Sequence, residues 1–252
     1  HAGARLLPLL VDENGPVVPE GRRPHSPVLL YTTPSHQFPL GQTMTLGRRV
    51  EMLEFARQTG TWIIEDDYDS EYRYEGRPLA SLQGLDDYGC VVYIGTMSKV
   101  LFPSLRLGYM VAPPRLAGAL IKAKAIADGQ CPLIDQATLA AFVEEGHFAR
   151  HLRRTRVIYE SRMRVLQAAL EREVPGVLRV RTIQAGLNVV GWLKPGYAED
   201  DVVQCAAEAH VELYGLSTYG RASLVRDGVL LGFAPFTEDE IEAGAVRLGT
   251  AL

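Results

Sequence analysis

The sequence has few cysteines and no apolar stretch long enough to cross a membrane. Its 252 residues include only Cys90, Cys131 and Cys205, which are odd in number and far apart in the chain. Such a set builds neither a disulfide framework nor a paired CxxC zinc site. The first residues, HAGAR, lack the basic flank and apolar core of a signal peptide, and no run approaches the roughly 18 apolar residues of a spanning helix. We therefore expect a protein of the reducing cytoplasm.

An excess of positive charge is also missing. Lys and Arg together number 26 against 30 for Asp and Glu, which gives a net charge of −4. This balance argues against a chain whose main surface binds nucleic acid or an anionic membrane. The sequence begins with His rather than Met, and we expect a further N-terminal portion before it. Any binding to DNA is expected through that other portion.

The residues that are present are typical of a globular α/β protein. Hydrophobic residues make up 47% of the chain and charged residues 22%, which is enough to bury a core. Short apolar runs at 28–31, 62–64, 90–94 and 107–111 are interleaved with a helical periodicity over 46–59. Strands interleaved with helices predict a mainly parallel sheet covered by helices. Ligands of such sheets bind outside the carboxyl ends of the strands.

The second part of the chain has a different texture. Helical periodicity continues over 115–127 and 134–170, with breaks near 129–132 and at Gly146. Short strands follow Pro175, and a final helix begins at Thr237, which forms a capping box with Glu240. We predict two domains: 1–150 belongs to a large α/β domain, and 151–252 comprises a connecting helix and a smaller α+β domain.

A cluster of phosphate-binding residue types follows the predicted strand 90–94. Thr96 and Ser98 supply hydroxyls next to Lys99, and Arg106 lies a few residues further along. Hydroxyls donate hydrogen bonds to phosphate oxygens, and a guanidinium binds them bidentately. A lysine beside a bound phosphate can form an imine with an aldehyde of the same molecule. These are the requirements of pyridoxal phosphate.

The preceding strand supplies the other two groups that this cofactor needs. Asp66, 33 residues before Lys99, can keep a pyridine nitrogen protonated. Tyr68 can donate a hydrogen bond to the phenolic oxygen of the ring. Each residue alone is weak support, but together the two clusters predict a pyridoxal-phosphate site.

Three segments carry a resemblance to a known family: TPSHQFPLG (33–41), WIIEDDYDSEYRYEGRPLASLQ (62–83) and YIGTMSKVLFPSLRLGYMVAP (93–113). They resemble the aminotransferase-like domain of MocR-type regulators, the GabR-like branch of the GntR family. The resemblance implies a fold type I pyridoxal-phosphate domain that senses an effector. In such proteins a winged helix-turn-helix DNA-binding domain precedes it. The resemblance implies that Lys99 forms a Schiff base with the cofactor, that Asp66 contacts its pyridine nitrogen and that Tyr68 contacts its phenolic oxygen. It also implies that the phosphate is bound by Thr96, Ser98 and Arg106.

Two positions depart from the catalytic aminotransferases that the chain resembles. Phe38 stands where those enzymes carry an Asn that contacts the cofactor, and Leu230 stands where they carry an Arg for the substrate carboxylate. These departures favour a regulator that responds to an amino acid, an amine or a B6 vitamer. The alternative is a catalytically active aminotransferase that uses the same Lys99. A third interpretation is a pseudoenzyme with an incomplete cofactor site.

Effector contacts are expected from His36, Asn188 and Arg221, with Arg226 as a second candidate for a ligand carboxylate. Each has a structural alternative: His36 can fix its loop, Asn188 can cap a turn, and arginines are commonly surface residues.

We predict no metal site, because carboxylates in a turn without convergent ligands are poor candidates. Asp67, Asp69 and Glu71 are instead expected to cap the turn or to pair with Arg73 and Arg77. Because fold type I sites resembling this one are completed by a second subunit, we also expect a homodimer.

Overall fold

The computed structural model describes residues 3–19, 27–180, 183–220 and 226–252. The chain divides into two compact units, which are described separately. The first unit comprises His1–Gln37, Gln42–Ser70 and Arg77–Arg150. The second unit comprises Phe38–Gly41, Glu71–Gly76 and His151–Leu252.

The first unit is built on a four-stranded, mainly parallel sheet with the order β3-β4-β5-β6. Its elements are β1 (Val11–Asp12), β2 (Gly15–Pro16), β3 (Leu29–Thr32), α1 (Leu46–Thr59), β4 (Trp62–Asp67), β5 (Val91–Thr96), β6 (Gly108–Val111), α2 (Pro114–Asp128) and α3 (Leu133–Glu144). Strands β3, β4 and β5 run parallel, and β6 returns antiparallel to β5. The predicted α/β class is confirmed.

Local sequence explains the ends of α1. The Thr45 side chain accepts a hydrogen bond from the Arg48 amide and so caps the first turn. Gly60 ends the helix with a left-handed φ of 71°, a conformation that glycine adopts without a steric penalty. Between the caps, apolar side chains of α1 pack on those of β3, β4 and β5. The buried members of this core are Leu30, Met44, Met52, Leu53, Ala56, Ile63, Leu82, Cys90 and Val91.

The sheet of the first unit has two outer strands, β3 and β6. In the described part of the chain, neither pairs with a strand on its outer side. All four residues of β6 are exposed, including Tyr109, Met110 and Val111. The helices α2 and α3 contain no buried residue, and they expose Ile121, Ile126, Leu133 and Ile134.

The second unit is a smaller α+β structure with an antiparallel sheet of order β7-β8-β10-β9. Its elements are α4 (His147–Glu173), β7 (Leu178–Val180), β8 (Asn188–Leu193), α5 (Glu199–Glu208), β9 (Tyr214–Gly215), β10 (Gly228–Gly232) and α6 (Glu238–Ala251). One face of α4 packs on the sheet, where Met163, Leu166 and Leu170 are buried. The predicted break at Gly146 and the capping box of Thr237 and Glu240 are both confirmed. No helix in the described ranges is both long and apolar enough to cross a membrane.

Candidate functional site

The residues predicted to bind the cofactor all belong to one end of the first unit's sheet. The parallel register pairs Asp66 of β4 with Ile94 of β5, two residues before Thr96. Strand β6 pairs Gly108 with Thr96, and the amide of Met97 donates to the Leu107 carbonyl at 3.0 Å. This pairing returns the chain at Arg106 to the turn that carries Ser98 and Lys99. All the predicted cofactor ligands therefore lie at or just beyond the carboxyl ends of the parallel strands β4 and β5, or just before the start of the antiparallel strand β6.

The groups proposed for the phosphate are arranged by the turn after β5. The hydroxyl of Thr96 accepts a hydrogen bond from the Ser98 amide at 3.1 Å, which holds the turn closed. Lys99 and Arg106 are exposed, so their charged groups are reachable from solvent. Arg106 has a left-handed φ of 52°, which is uncommon for a residue with a side chain.

Asp66 has a partner that the sequence analysis missed. Tyr31, on β3, donates its hydroxyl hydrogen bond to Oδ2 of Asp66. Burial and the adjacent carboxylate raise the pKa of Tyr31 above its usual value, so its hydroxyl stays protonated and acts as the donor. The register of parallel strands, which pairs Tyr31 with Ile64, is the signal that places it beside Asp66.

Tyr68 is held by a buried pair of residues. Its hydroxyl donates to the backbone carbonyl of His36 at 3.0 Å and lies 3.0 Å from Nδ1 of the same residue. His36 Nδ1 is in turn 2.8 Å from Oδ2 of Asp69, and the two side chains are 3% and 1% exposed. Burial, followed by the charges of Asp69 and Asp66, raises the pKa of Tyr68 above its usual value. His36 is thus a buried residue in direct contact with the Tyr68 hydroxyl.

The acidic turn after β4 differs from the expectation. The predicted pairing of Asp69 with Arg73 or Arg77 is wrong, because its carboxylate bonds to His36. Asp69 is 1% exposed and faces the buried His36, whereas Arg77 is exposed. Asp67 caps the turn as predicted, since it accepts from the amide and hydroxyl of Ser70.

A buried ion pair links α1 to strand β4, which carries Asp66. Arg49 on α1 and Glu65 on β4 are 1% and 0% exposed, and their nearest charged atoms are 3.8 Å apart. The Arg49 guanidinium donates to the carbonyls of Pro34, Met44 and Ala80 at 2.9, 3.1 and 3.0 Å. Glu65 accepts from the amides of Leu82 and Gln83 at 2.9 and 2.8 Å. Burial raises the pKa of Glu65, and these amides and Arg49 oppose that rise. The pair ties the loop before α1 to the loop after β4.

Asn188 and Arg226 belong to the second unit. Asn188 begins β8, is half-buried and pairs with Gly232 of β10. Arg226 places its guanidinium over the ring of Trp192, 5.6 Å from the centroid. Arg221 lies outside the described residues.

Leu230, at the position where the resemblance implies an Arg in catalysts, is an apolar core residue. It is 6% exposed and packs with Val190 and Leu216. The side chain at this position is therefore part of the packing of the second unit's sheet.

The donor set at the sheet edge suits one cofactor chemistry. A carboxylate (Asp66), a reachable amine (Lys99), two hydroxyls and a guanidinium complement a protonated pyridine, an aldehyde and a phosphate dianion. Pyridoxal phosphate carries these three groups. Across the described ranges, no three His, Cys, Asp or Glu side chains come together as a metal site.

Comparison with known proteins finds an aminotransferase family model and transcriptional regulators that are similar to this chain. The family model for aminotransferase class I and II matches residues 20–222. An uncharacterized HTH-type transcriptional regulator of Bacillus subtilis is 38% identical over 246 residues, 98% of this chain and 52% of the relative. The probable rhizopine catabolism regulatory protein MocR of Rhizobium meliloti is 39% identical over 251 residues, 99% of this chain and 50% of the relative. The chain spans about half the length of these curated relatives.

Solved structures support the same fold. An α-aminoadipate aminotransferase from Thermus thermophilus, complexed with N-(5'-phosphopyridoxyl)-L-leucine, superposes with a TM-score of 0.87 at 30% identity, over 98% of this chain and 65% of that one. The kynurenine aminotransferase of Pyrococcus horikoshii superposes with a TM-score of 0.82 at 29% identity, over 88% of this chain and 55% of that one. The chain therefore belongs to the class I and II aminotransferase family, with the fold type I architecture, in the aminotransferase-like branch found in MocR-type transcriptional regulators.

Proposed function

We propose that this chain is the pyridoxal-phosphate-binding, effector-sensing part of a MocR-type regulator, which controls transcription in response to an amino acid, an amine or a B6 vitamer. The observation that carries the proposal is the convergence of Asp66, Lys99 and the phosphate-binding residues at one sheet edge. The relatives named as HTH-type regulators support it. In this proposal DNA is bound by a separate winged helix-turn-helix domain and not by residues 1–252.

Each site residue has a definite task in this proposal. Lys99 would hold the cofactor through the aldehyde carbon, and its amine is the group with which an effector amine would compete. Asp66, held by Tyr31, keeps a proton on the pyridine nitrogen. The Tyr68 hydroxyl, which donates to the His36 carbonyl in this structure, would turn its single hydrogen to the ring oxygen of a bound cofactor. Bound pyridoxal phosphate supplies an aldehyde carbon that reacts with amines and a ring that withdraws electrons.

The phosphate is assigned to three side chains around the turn that follows β5. Thr96 and Ser98 donate from the end of β5, and Arg106 adds a bidentate, charge-assisted contact. Their position beside Lys99 allows one molecule to reach both the amine and the anion-binding groups.

Two side chains favour sensing over turnover. Leu230 is buried and apolar, so this position offers no charge-assisted contact to a substrate carboxylate. Phe38 has no donor for the cofactor, which leaves Tyr68 to hold the ring oxygen. An effector can still bind through its amine, whereas the transition state for proton transfer loses stabilisation.

An aminotransferase is the second candidate function. Lys99 and Asp66 would serve catalysis as well as sensing, and the superposed structures are aminotransferases. Because position 230 is a leucine, an arginine elsewhere in the chain would then have to bind the substrate carboxylate.

The full-length gene product distinguishes the two functions. Candidate amines are added while the visible absorbance, operator binding and keto-acid product are measured over hours. A sensor shows a spectral change and altered DNA binding with turnover well below about 1 per second, the lower edge of ordinary enzymes. Faster product formation without any effect of the amine on DNA binding would favour the aminotransferase.

The proposal also includes a cytoplasmic homodimer. The three cysteines are free in the structure, which suits a reducing compartment. The exposed apolar side chains of α2 and α3, including Ile126 and Ile134, support a subunit contact.

A further inference from the structure

A buried acid–imidazole pair beside Tyr68 has no task in the proposed function. His36 Nδ1 and Asp69 Oδ2 are 2.8 Å apart, with both side chains almost fully buried. In the described part of the chain, His36 Nε2 and Asp69 Oδ1 are buried without a hydrogen-bond partner. Buried polar atoms without a hydrogen-bond partner cost stability, and in native structures they call for an explanation such as a functional role.

The geometry assigns the proton of the imidazole. The Asp69 carboxylate accepts a hydrogen bond from Nδ1 of His36, so Nδ1 carries the hydrogen in the neutral ring. Nε2 is then the ring's acceptor atom. The same Nδ1 lies 3.0 Å from the Tyr68 oxygen, and the Tyr68 hydroxyl donates to the His36 carbonyl at 3.0 Å. His36 therefore contacts the Tyr68 oxygen through both its ring and its backbone. When Tyr68 gives its single hydrogen to a bound cofactor, the ring contact remains, because there Nδ1–H, shared with Asp69, is the donor and the tyrosine oxygen accepts.

The charges around the pair keep Tyr68 a hydrogen-bond donor. Asp69, Asp66 and Asp67 act on the tyrosine, and together with burial they raise its pKa. Burial also raises the pKa of Asp69, while the bond from His36 and the charge of Lys99 oppose that rise. The tyrosine hydroxyl thus keeps its proton in the presence of this carboxylate cluster.

We propose that His36, oriented by Asp69, is a positioning residue for Tyr68. This inference rests on the proposed function, in which Tyr68 donates to the ring oxygen of the cofactor. Phe38 stands where an Asn would give that oxygen a second contact, so the orientation of the single remaining donor carries more weight. His36 acts through Tyr68 and need not touch the cofactor or the effector.

The test uses the full-length protein loaded with pyridoxal phosphate. The readout is the pH midpoint of the visible band of the cofactor bound to Lys99. A hydrogen bond to the ring oxygen stabilises the negative charge on that oxygen. The nitrogen that links Lys99 to the cofactor then holds its proton less tightly, and its pH midpoint is lower. Tyr68→Phe is therefore expected to raise the midpoint by about 1 pH unit, the equivalent of one hydrogen bond.

His36→Ala and Asp69→Asn are expected to raise the midpoint in the same direction by a smaller amount. His36→Asn can replace Nδ1 with an amide donor and is expected to restore the parental midpoint. In the Tyr68→Phe background, His36→Ala is expected to add nothing, because a residue that acts through Tyr68 is coupled to it. Asp200→Asn, at an exposed acid of α5, is the control and is expected to leave the midpoint unchanged.

The outcomes separate this inference from the proposed function. A parent protein without a visible band contradicts both. A band that Tyr68→Phe shifts and that His36→Ala and Asp69→Asn leave unchanged overturns the positioning role alone. Equal shifts from His36→Ala in both backgrounds also overturn it. If His36→Ala fails to fold, Asp69→Asn alone and in the Tyr68→Phe background gives the same decision.

Discussion

Lys99 is the residue on which the proposed function depends most directly. Lys99→Ala in the full-length protein is expected to abolish the visible band of the bound cofactor, because no other site residue supplies a primary amine at the sheet edge. Weak non-covalent binding through Asp66 and Arg106 can remain. Absorbance spectroscopy with Lys122→Ala, an exposed lysine of α2, as the control checks this expectation. A band that persists in Lys99→Ala would show that a different amine binds the cofactor.

Asp66 is expected to contribute strongly to cofactor affinity. Asp66→Ala removes a charge-assisted contact to the pyridine nitrogen and should weaken binding by about 2 kcal/mol, roughly thirtyfold. A titration with pyridoxal phosphate, monitored by absorbance, gives the two dissociation constants. Asp200→Ala, at an exposed acid of α5, should leave the affinity at the parental value. Unchanged affinity in Asp66→Ala would make this residue only one of the turn's acids.

The sequence predicted residues at the ends of strands, but it did not predict Tyr31 or the contact between His36 and Asp69. Asp66 and Lys99 could be found because strand ends are readable from short apolar runs. Tyr31 and Asp66 are 35 positions apart, and His36 and Asp69 are 33 apart. Their contacts depend on strand register and on the path of a loop, which local patterns do not specify.

At the scale of elements, the Arg49–Glu65 pair joins α1 to β4. Arg49→Met is expected to lower the free energy of unfolding by about 3–5 kcal/mol, because it leaves Glu65 buried without its charge partner. Arg57→Met, which breaks an exposed and solvent-screened pair with Glu54, should lower it far less. Denaturant unfolding of both variants measures the difference. Equal costs would mean that the buried pair is not a structural link.

The helices show how far element boundaries follow from local chemistry. The predicted span 46–59 is the observed α1, because Thr45 and Gly60 are strong capping residues at both ends. The predicted helical stretch 134–170 is two helices separated near Gly146, as its left-handed φ of 76° requires. The short hairpin of β1 and β2 could not be predicted from the sequence, since two-residue strands have no periodicity to read.

At the scale of the whole molecule, a dimer is the main expectation. An obligate homodimer of this kind should bury upwards of about 2,000 Å². Light scattering on the cofactor-loaded, full-length protein at micromolar concentration is expected to give twice the mass of the gene product. A monomer under these conditions would contradict the expectation.

The exposed strand β6 affects how this chain behaves when it is produced alone. Within the described ranges no strand pairs with its outer edge, where Tyr109, Met110 and Val111 are exposed. Flat apolar edges of this kind template intermolecular pairing, so the isolated polypeptide should precipitate as β-rich aggregates during purification. Met110→Lys places a charge on that edge and should raise the soluble yield, whereas Val246→Lys, at an exposed valine of α6, should not. Equal yields would point to another aggregating surface. The solubility of any expression fragment that includes this strand then depends on whether the fragment also carries a segment that covers it.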